Sequence, residues 1–322
     1  MFFHCKAVCQ KVGGLVFCLF LIISCAGTPQ SDHLLESLPV EFQKPVINNN
    51  IAFFPQEAYQ CGPAALATLL NWQGIKVMPD DLKDQVYIPD RKGSLQLELL
   101  ATTRRYGLLP YILKPELAEL LNEVKLGRPV LVFQNLGVSW YPQWHYAVVI
   151  GYNLQEQKLI LHTGTSESYL MSIHTFERTW LRTKRWAMIA LQPGQMPSRP
   201  DQWRYIKASV GLERVNKPQL VQKAYEAGLQ KWPDSKELNM GMGNNFYTQK
   251  NLKLARKYYS IVIDKYPDFA PAHNNLAQVL AEQGEIVSAL KHAKLAVKLG
   301  GVYSKQYNTT LNEIQTLLEK SR

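Results

Sequence analysis

At 322 residues, with 46% hydrophobic and 19% charged residues, the chain can hold two ordinary globular domains and lacks the composition of a disordered protein. Its net charge of +10 is moderate for this length. No run of like charges and no block of interleaved basic and aromatic residues is present, so no nucleic acid is expected as a partner; the positive balance equally suits an anionic membrane surface or an acidic protein.

The first 25 residues differ from all that follow. Lys6 and Lys11 precede "VGGLVFCLFLIIS", thirteen residues without a charge, which suits a signal-peptide core and falls short of the ~20 apolar residues a spanning helix needs. The run ends in "LIISCAG", which resembles the lipobox of bacterial lipoproteins. That resemblance implies a signal over residues 1–24 and a lipid on Cys25 as the new N-terminus. Ala26, where an Asp would imply retention in the inner membrane, points to an outer-membrane lipoprotein facing the periplasm of a Gram-negative bacterium. An ordinary signal peptide or an uncleaved anchor is the plainer alternative.

Residues 25–50 are polar and read as a tether. From 51 to 191 the pattern mixes helices and strands. Helices are expected at 62–73, 94–106, 115–126 and 174–181, with Gly74 and Gly107 just past two of them as stop signals. Short runs rich in Val, Ile and aromatics predict strands at 129–135, 144–153, 157–163 and 186–191, the second and third joined as a hairpin through "NLQEQ". Three helices followed by all four strands argue for an α+β domain with a largely antiparallel sheet.

Residues 192–215, opening with "QPGQMPSRPDQW", read as a linker. Beyond them "GLQKWPDSKEL" and "VIDKYPDFAPA" align at an offset of 34 residues, pairing Pro233 with Pro267, Tyr225 with Tyr259 and Lys231 with Lys265. The period resembles tetratricopeptide repeats, implying an all-α array over 216–322 with two clear units and a capping helix at 303–320. Gly284 falls at a turn, where a small residue is expected to let two helices close up.

The five cysteines are Cys5, Cys9, Cys18, Cys25 and Cys61. With a signal removed and Cys25 lipidated, Cys61 is the one thiol left, unable to form an internal disulfide. No Cys/His cluster has zinc spacing, and no cofactor or metal is called for. Cys61 stands just ahead of a stretch that reads as helix, with Pro63 suited to a first helical turn. Unpaired N–H groups there favour a thiolate and a developing oxyanion. Gln56 or Gln60 offers a second, neutral donor. His145, opening a predicted strand, is the candidate base.

"QEAYQCGPAAL" followed by "HYAVVIGY" resembles the bacteriocin-processing, double-glycine peptidases, family 39 of the papain-clan cysteine peptidases, and more closely their stand-alone relatives. The resemblance covers about 50–191. It implies a papain-like fold, Cys61 as nucleophile, His145 as general base and Gln56 as oxyanion donor, one residue nearer the cysteine than is usual. Gln60 lies too close to reach round and reads as structural. The family's orienting Asp has no match: His162 lies in that place, with Thr163 and Asn153 as alternatives. The function so implied is hydrolysis of a peptide or protein through a Cys61 acyl-enzyme, with the repeats recruiting a protein partner or substrate. An acyl or amide transferase on the same fold, and a non-catalytic adaptor with a retired peptidase domain, are the rivals.

Overall fold

The structure, a computed structural model, describes residues 27–55 and 60–320. Cys25 and the signal segment lie outside the described residues, as does Gln56.

Among the described residues seven strands form one sheet in the order β4-β9-β5-β6-β7-β8, with β1 added on β6. The strands are β1 (Val46–Ile47), β4 (Leu109–Ile112), β5 (Val130–Asn135), β6 (Trp144–Asn153), β7 (Lys158–Thr163), β8 (Ser166–Ser172) and β9 (Ala187–Leu191); β2 (Tyr87–Ile88) and β3 (Gly93–Ser94) make a separate small hairpin. Every pairing is antiparallel. Alternation along β6 divides the core. Tyr146, Val148 and Ile150 face one side, and Ala147, Val149 and Tyr152 face the other. Gly151 is required where β1 closes on β6, since a Cβ there would lie 2.4 Å from the Val46 carbonyl oxygen.

The first face is covered by α2 (Cys61–Trp72), with α3 (Pro79–Val86) and α4 (Gln96–Arg105) beside it; α2 is apolar on all sides and buried from Gly62 to Leu70. The other face is covered by α5 (Leu117–Lys125) and α6 (Ile173–Leu181). The four expected strands and the four expected helices are present within a few residues. β4 and β8 were not expected: Pro110 breaks the strand signal of β4, which tolerates it as an edge strand, and "SESYLMS" in β8 is mostly exposed. The helix α3 and the β2–β3 hairpin were likewise unexpected.

The tether reading fails for residues 28–47. Helix α1 (Pro29–Glu36) lies on α6, where the buried Glu177 carboxylate accepts from Ser31 N–H and Oγ, both at 2.7 Å, and from Gln30 N–H at 3.2 Å. Leu34 and Phe42 enter the main core, and β1 extends the sheet. Charged and polar spacers around a few well-placed apolar residues conceal this docking in the sequence.

The linker reading also needs correction. Residues 192–200 connect, but α7 (Gln202–Leu212) is a helix capped by Asp201 and packed on β4. Arg204 donates to the carbonyls of Ile112 and Leu113, and the Asp201 N–H donates to Tyr111 Oη. Helices α8 (Pro218–Lys231), α9 (Lys236–Thr248), α10 (Leu252–Lys265), α11 (Ala270–Glu282), α12 (Ile286–Leu299) and α13 (Ser304–Lys320) then stack in succession, and one hydrophobic cluster runs from the sheet into this array. Gly284 does not serve helix closure: it has φ +83° and nothing within 4 Å of a built Cβ, so its role is the left-handed turn. The close approaches belong to Gly241 and Gly243, whose Cβ atoms would lie 2.4 Å from the rings of Tyr225 and Tyr259.

Candidate active site

Helix α2 opens at Cys61 itself, so Pro63 falls at the third helical position. It remains within the first turn, where the missing N–H costs no intrahelical bond. The N–H groups of Cys61 and Gly62 are thus spare donors at the positive end of a helix. Both approach the Cys61 sulfur, and the N–H of Tyr146 on β6 joins them. Burial outweighs these three donors and pushes the thiol pKa up from its ordinary value.

The contact at Tyr146 brings Cys61 to the residue beside His145. Burial pushes the His145 pKa down to about 4, so the imidazole is neutral near pH 7. Its Nε2 lies 2.6 Å from Thr163 Oγ1. In the tautomer where Nε2–H donates to that hydroxyl, Nδ1 keeps its lone pair and can act as a base. No hydrogen bond joins the thiol to the imidazole in this structure. Burial thus holds both the Cys61 thiol and the His145 imidazole toward their neutral forms.

Strand parity separates His162 from Thr163. His162 pairs with Val148, and Thr163 is the next residue. Successive residues point to opposite faces, so only one of the two can meet His145. Thr163 does. His162 turns the other way and is buried, its Nε2 3.1 Å from the Ile51 carbonyl and its Nδ1 accepting from Ser168 N–H at 3.5 Å. Burial lowers its pKa, against the pull of the Ile51 carbonyl and of Glu167. It fastens the segment ahead of α2. Asn153, at the far end of β6, accepts from Glu156 N–H in its own turn. Gln60 is the N-cap residue of α2.

Sequence reading did not single out Tyr146. Its N–H meets the thiol, its ring stacks on Phe133, and its hydroxyl donates to the Ser94 carbonyl at 3.2 Å, tying the β2–β3 hairpin to the sheet. The only available signal was its position next to the candidate histidine. Among the described residues no group of three or more His, Cys, Asp or Glu side chains is arranged to hold a metal.

Cys61 at a helix N-terminus beside an antiparallel sheet that carries His145 makes an α+β domain. Residues 48–188 match the Peptidase_C39 like family, and residues 240–302 match the tetratricopeptide repeat. The chain therefore carries a peptidase C39-like α+β domain followed by an all-helical repeat region. Among solved structures, the peptidase domain of Streptococcus ComA, a bi-functional ABC transporter involved in a quorum sensing pathway, is similar at 22% identity over 44% of this chain and 98% of that one, with a TM-score of 0.36. The Yersinia enterocolitica type III secretion chaperone SycD, in complex with a peptide of the translocator YopD, is similar at 18% identity over 37% of this chain and 93% of that one, with a TM-score of 0.34. The MamA RS-1 ArsTM double mutant is similar at 17% identity, with the same 37% coverage of this chain, 66% of that one and a TM-score of 0.34. A search of curated proteins finds no match.

Proposed function

We propose that the protein is a cysteine peptidase of the bacterial cell envelope, with Cys61 as nucleophile and His145 as general base. The observation that carries this reading is the meeting of Cys61 with β6 at Tyr146, one residue from a neutral imidazole fixed by Thr163. Substrate engagement draws ring and thiol together, as catalytic contacts that are long in the free enzyme often tighten. Sulfur attacks the scissile carbonyl as Nδ1 of His145 takes the thiol proton. The tetrahedral oxyanion accepts from the Cys61 N–H, with Gln56 as the second donor. His145 returns the proton to the leaving amine, and water activated by the same base releases the acyl group. The repeat array holds a protein partner or the substrate outside the site, as stacked helical repeats present extended grooves.

Lipidation at Cys25 belongs to the same proposal. Because the chain is docked from Thr28 onward, a lipid on Cys25 can stand at most roughly 10 Å of backbone from the domain, at about 3.3–3.6 Å per residue fully extended. Incorporation of labelled palmitate in cells should be lost in Cys25→Ser; labelling that persists overturns the anchor.

Peptides and new protein N-termini from cells with wild-type protein, Cys61→Ala and His145→Ala test the chemistry. Cleavage products should vanish with Cys61→Ala and fall about 10²–10⁴-fold with His145→Ala. Identical products in all three strains would establish the second reading, a non-catalytic adaptor. That reading is favoured by one observation: a hydroxyl stands at Thr163 where a carboxylate would stabilise an imidazolium. Thr163→Asp separates the two, since it should raise both the His145 pKa and the cleavage rate of an enzyme and change nothing in an adaptor.

A further inference from the structure

The β5–β6 connection has a composition unlike the rest of a chain of net charge +10: from Pro129 to Gln155 there is no Asp, Glu, Lys or Arg. Within it Trp140 is 85% exposed, Tyr141 64% and Trp144 55%. The Trp140 and Tyr141 rings are 6.3 Å apart, and Trp144 stacks on Phe133 at 5.4 Å. Phe133 stacks in turn on Tyr146 at 4.6 Å, and the Tyr146 N–H meets the Cys61 sulfur. An aromatic path thus leads from solvent to the thiol.

The loop that presents these rings is held from several directions. Asn135 Oδ1 accepts from the N–H groups of Gly137 at 3.0 Å and Gln143 at 2.9 Å. Val138 and Tyr141 exchange N–H to carbonyl bonds at 3.2 Å each, and Arg182 donates to the carbonyls of Asn135 and Gly137. Gly137 fits only because it has no Cβ, which would lie 2.3 Å from the Tyr141 carbonyl oxygen. Rings fixed in advance offer apolar contact without the cost of ordering them on binding.

We propose that Trp140, Tyr141 and Trp144 form the specificity surface of the site, holding a bulky, uncharged apolar side chain of the peptide substrate next to the scissile bond. The proposal rests on the peptidase reading above. Continuity with the site selects this occupant over a bilayer or a second copy, because Trp144 leads through Phe133 to Tyr146, whose N–H meets the Cys61 sulfur, and the same loop carries Trp140 and Tyr141. With no charge on it to pair an acidic or a basic side chain, the shelf favours an apolar guest.

The full-length protein in detergent is treated with N-acyl dipeptidyl chloromethyl ketones that carry Phe, Leu, Ala, Asp or Lys. The Cys61 sulfur displaces chloride, the thiol proton passes to His145, and the thioether is read by intact mass. Phe and Leu probes should label about 10-fold or more faster than Asp and Lys probes. Trp140→Ala/Tyr141→Ala and Trp144→Ala should each level that preference, with the thermal midpoint of the exposed pair variant, Trp140→Ala/Tyr141→Ala, staying at the wild-type value. Efficient labelling by every probe without preference, or a preference that survives both variants, overturns the specificity surface and leaves the peptidase reading intact. Peptidyl probes that label no faster than iodoacetamide remove both. Loss of flotation with phosphatidylglycerol vesicles in the variants, with probe preference unchanged, assigns the shelf to a bilayer and overturns it as well.

Discussion

The two halves of the molecule bury polar side chains for different purposes. In the N-terminal domain such groups join segments far apart in the chain. Glu177 holds Ser31 across 146 residues, Glu123 holds Ser198 across 75, and Gln134 donates to Thr179 across 45. In the array they stay within one repeat length: Asn239 donates to the Pro233 carbonyl and His273 meets that of Pro267, each across six residues, and Asn245 reaches the Pro218 carbonyl across 27 and Gln278 the Thr310 hydroxyl across 32. Apolar packing follows the same division, with the Gly241–Tyr225 and Gly243–Tyr259 contacts made between neighbouring helices. Long-range bonds fix a geometry that exists once, as a reactive site requires. Local ones define a unit that can be repeated.

The largest effect is expected where a long-range polar group is removed. Glu177 is wholly buried and bonds to Gln30, Ser31 and Arg185. Glu177→Ala leaves the guanidinium and the helix N-terminus uncompensated and should cost about 3–5 kcal/mol in chemical denaturation. Amide exchange should rise across residues 28–47 while the array keeps its protection. Uniform loss of protection through both halves would contradict the division drawn above.

Acid sharpens the same contrast. His145 titrates at about 4 in the folded domain against an ordinary value of 6.5. Between these values the unfolded chain carries the proton and the folded chain does not, so stability rises with pH through that window. The contribution is present in full above pH 6.5 and lost as pH falls toward 4. A difference of roughly 2.5 units corresponds to about 3 kcal/mol. His162 is lowered by burial and acts in the same direction. Unfolding free energies measured from pH 4 to 7 should show a shallower rise in His145→Gln than in wild type; parallel curves would remove His145 from the account.

These contrasts also explain what the sequence could be made to say. Helix α2, the β6–β7 hairpin and the 34-residue period were legible because each is a local pattern with a fixed spacing. The docking of residues 28–47 was not, since Leu34 and Phe42 acquire their meaning only from Glu177 and β6, more than 100 residues away in the chain. β4 was hidden by Pro110, which is harmless only on an edge strand. Cys61 and His145 could be picked out as a pair, but the choice between His162 and Thr163 depended on a parity that one residue of register reverses. The aromatic residues before His145 were visible as letters, and their exposure and fixation were not.

The smallest effects test whether the array is as local as its bonds imply. Gly243 and Gly284 are both glycines of one repeat unit and its neighbour, yet they are glycine for different reasons. A Cβ on Gly243 would press on the Tyr259 ring, which is buried and bonded through its hydroxyl to Asn244, so Gly243→Ala should cost about 1–3 kcal/mol. A Cβ on Gly284 meets nothing, and Gly284→Ala should lose only about 1 kcal/mol through the positive φ. Asn tolerates that conformation better than Ala, so Gly284→Asn should recover part of the loss, whereas Gly243→Asn should be worse than Gly243→Ala. Thermal unfolding of the four variants distinguishes the two causes: a common order of Ala and Asn at both positions would mean that one mechanism, backbone or packing, governs both glycines.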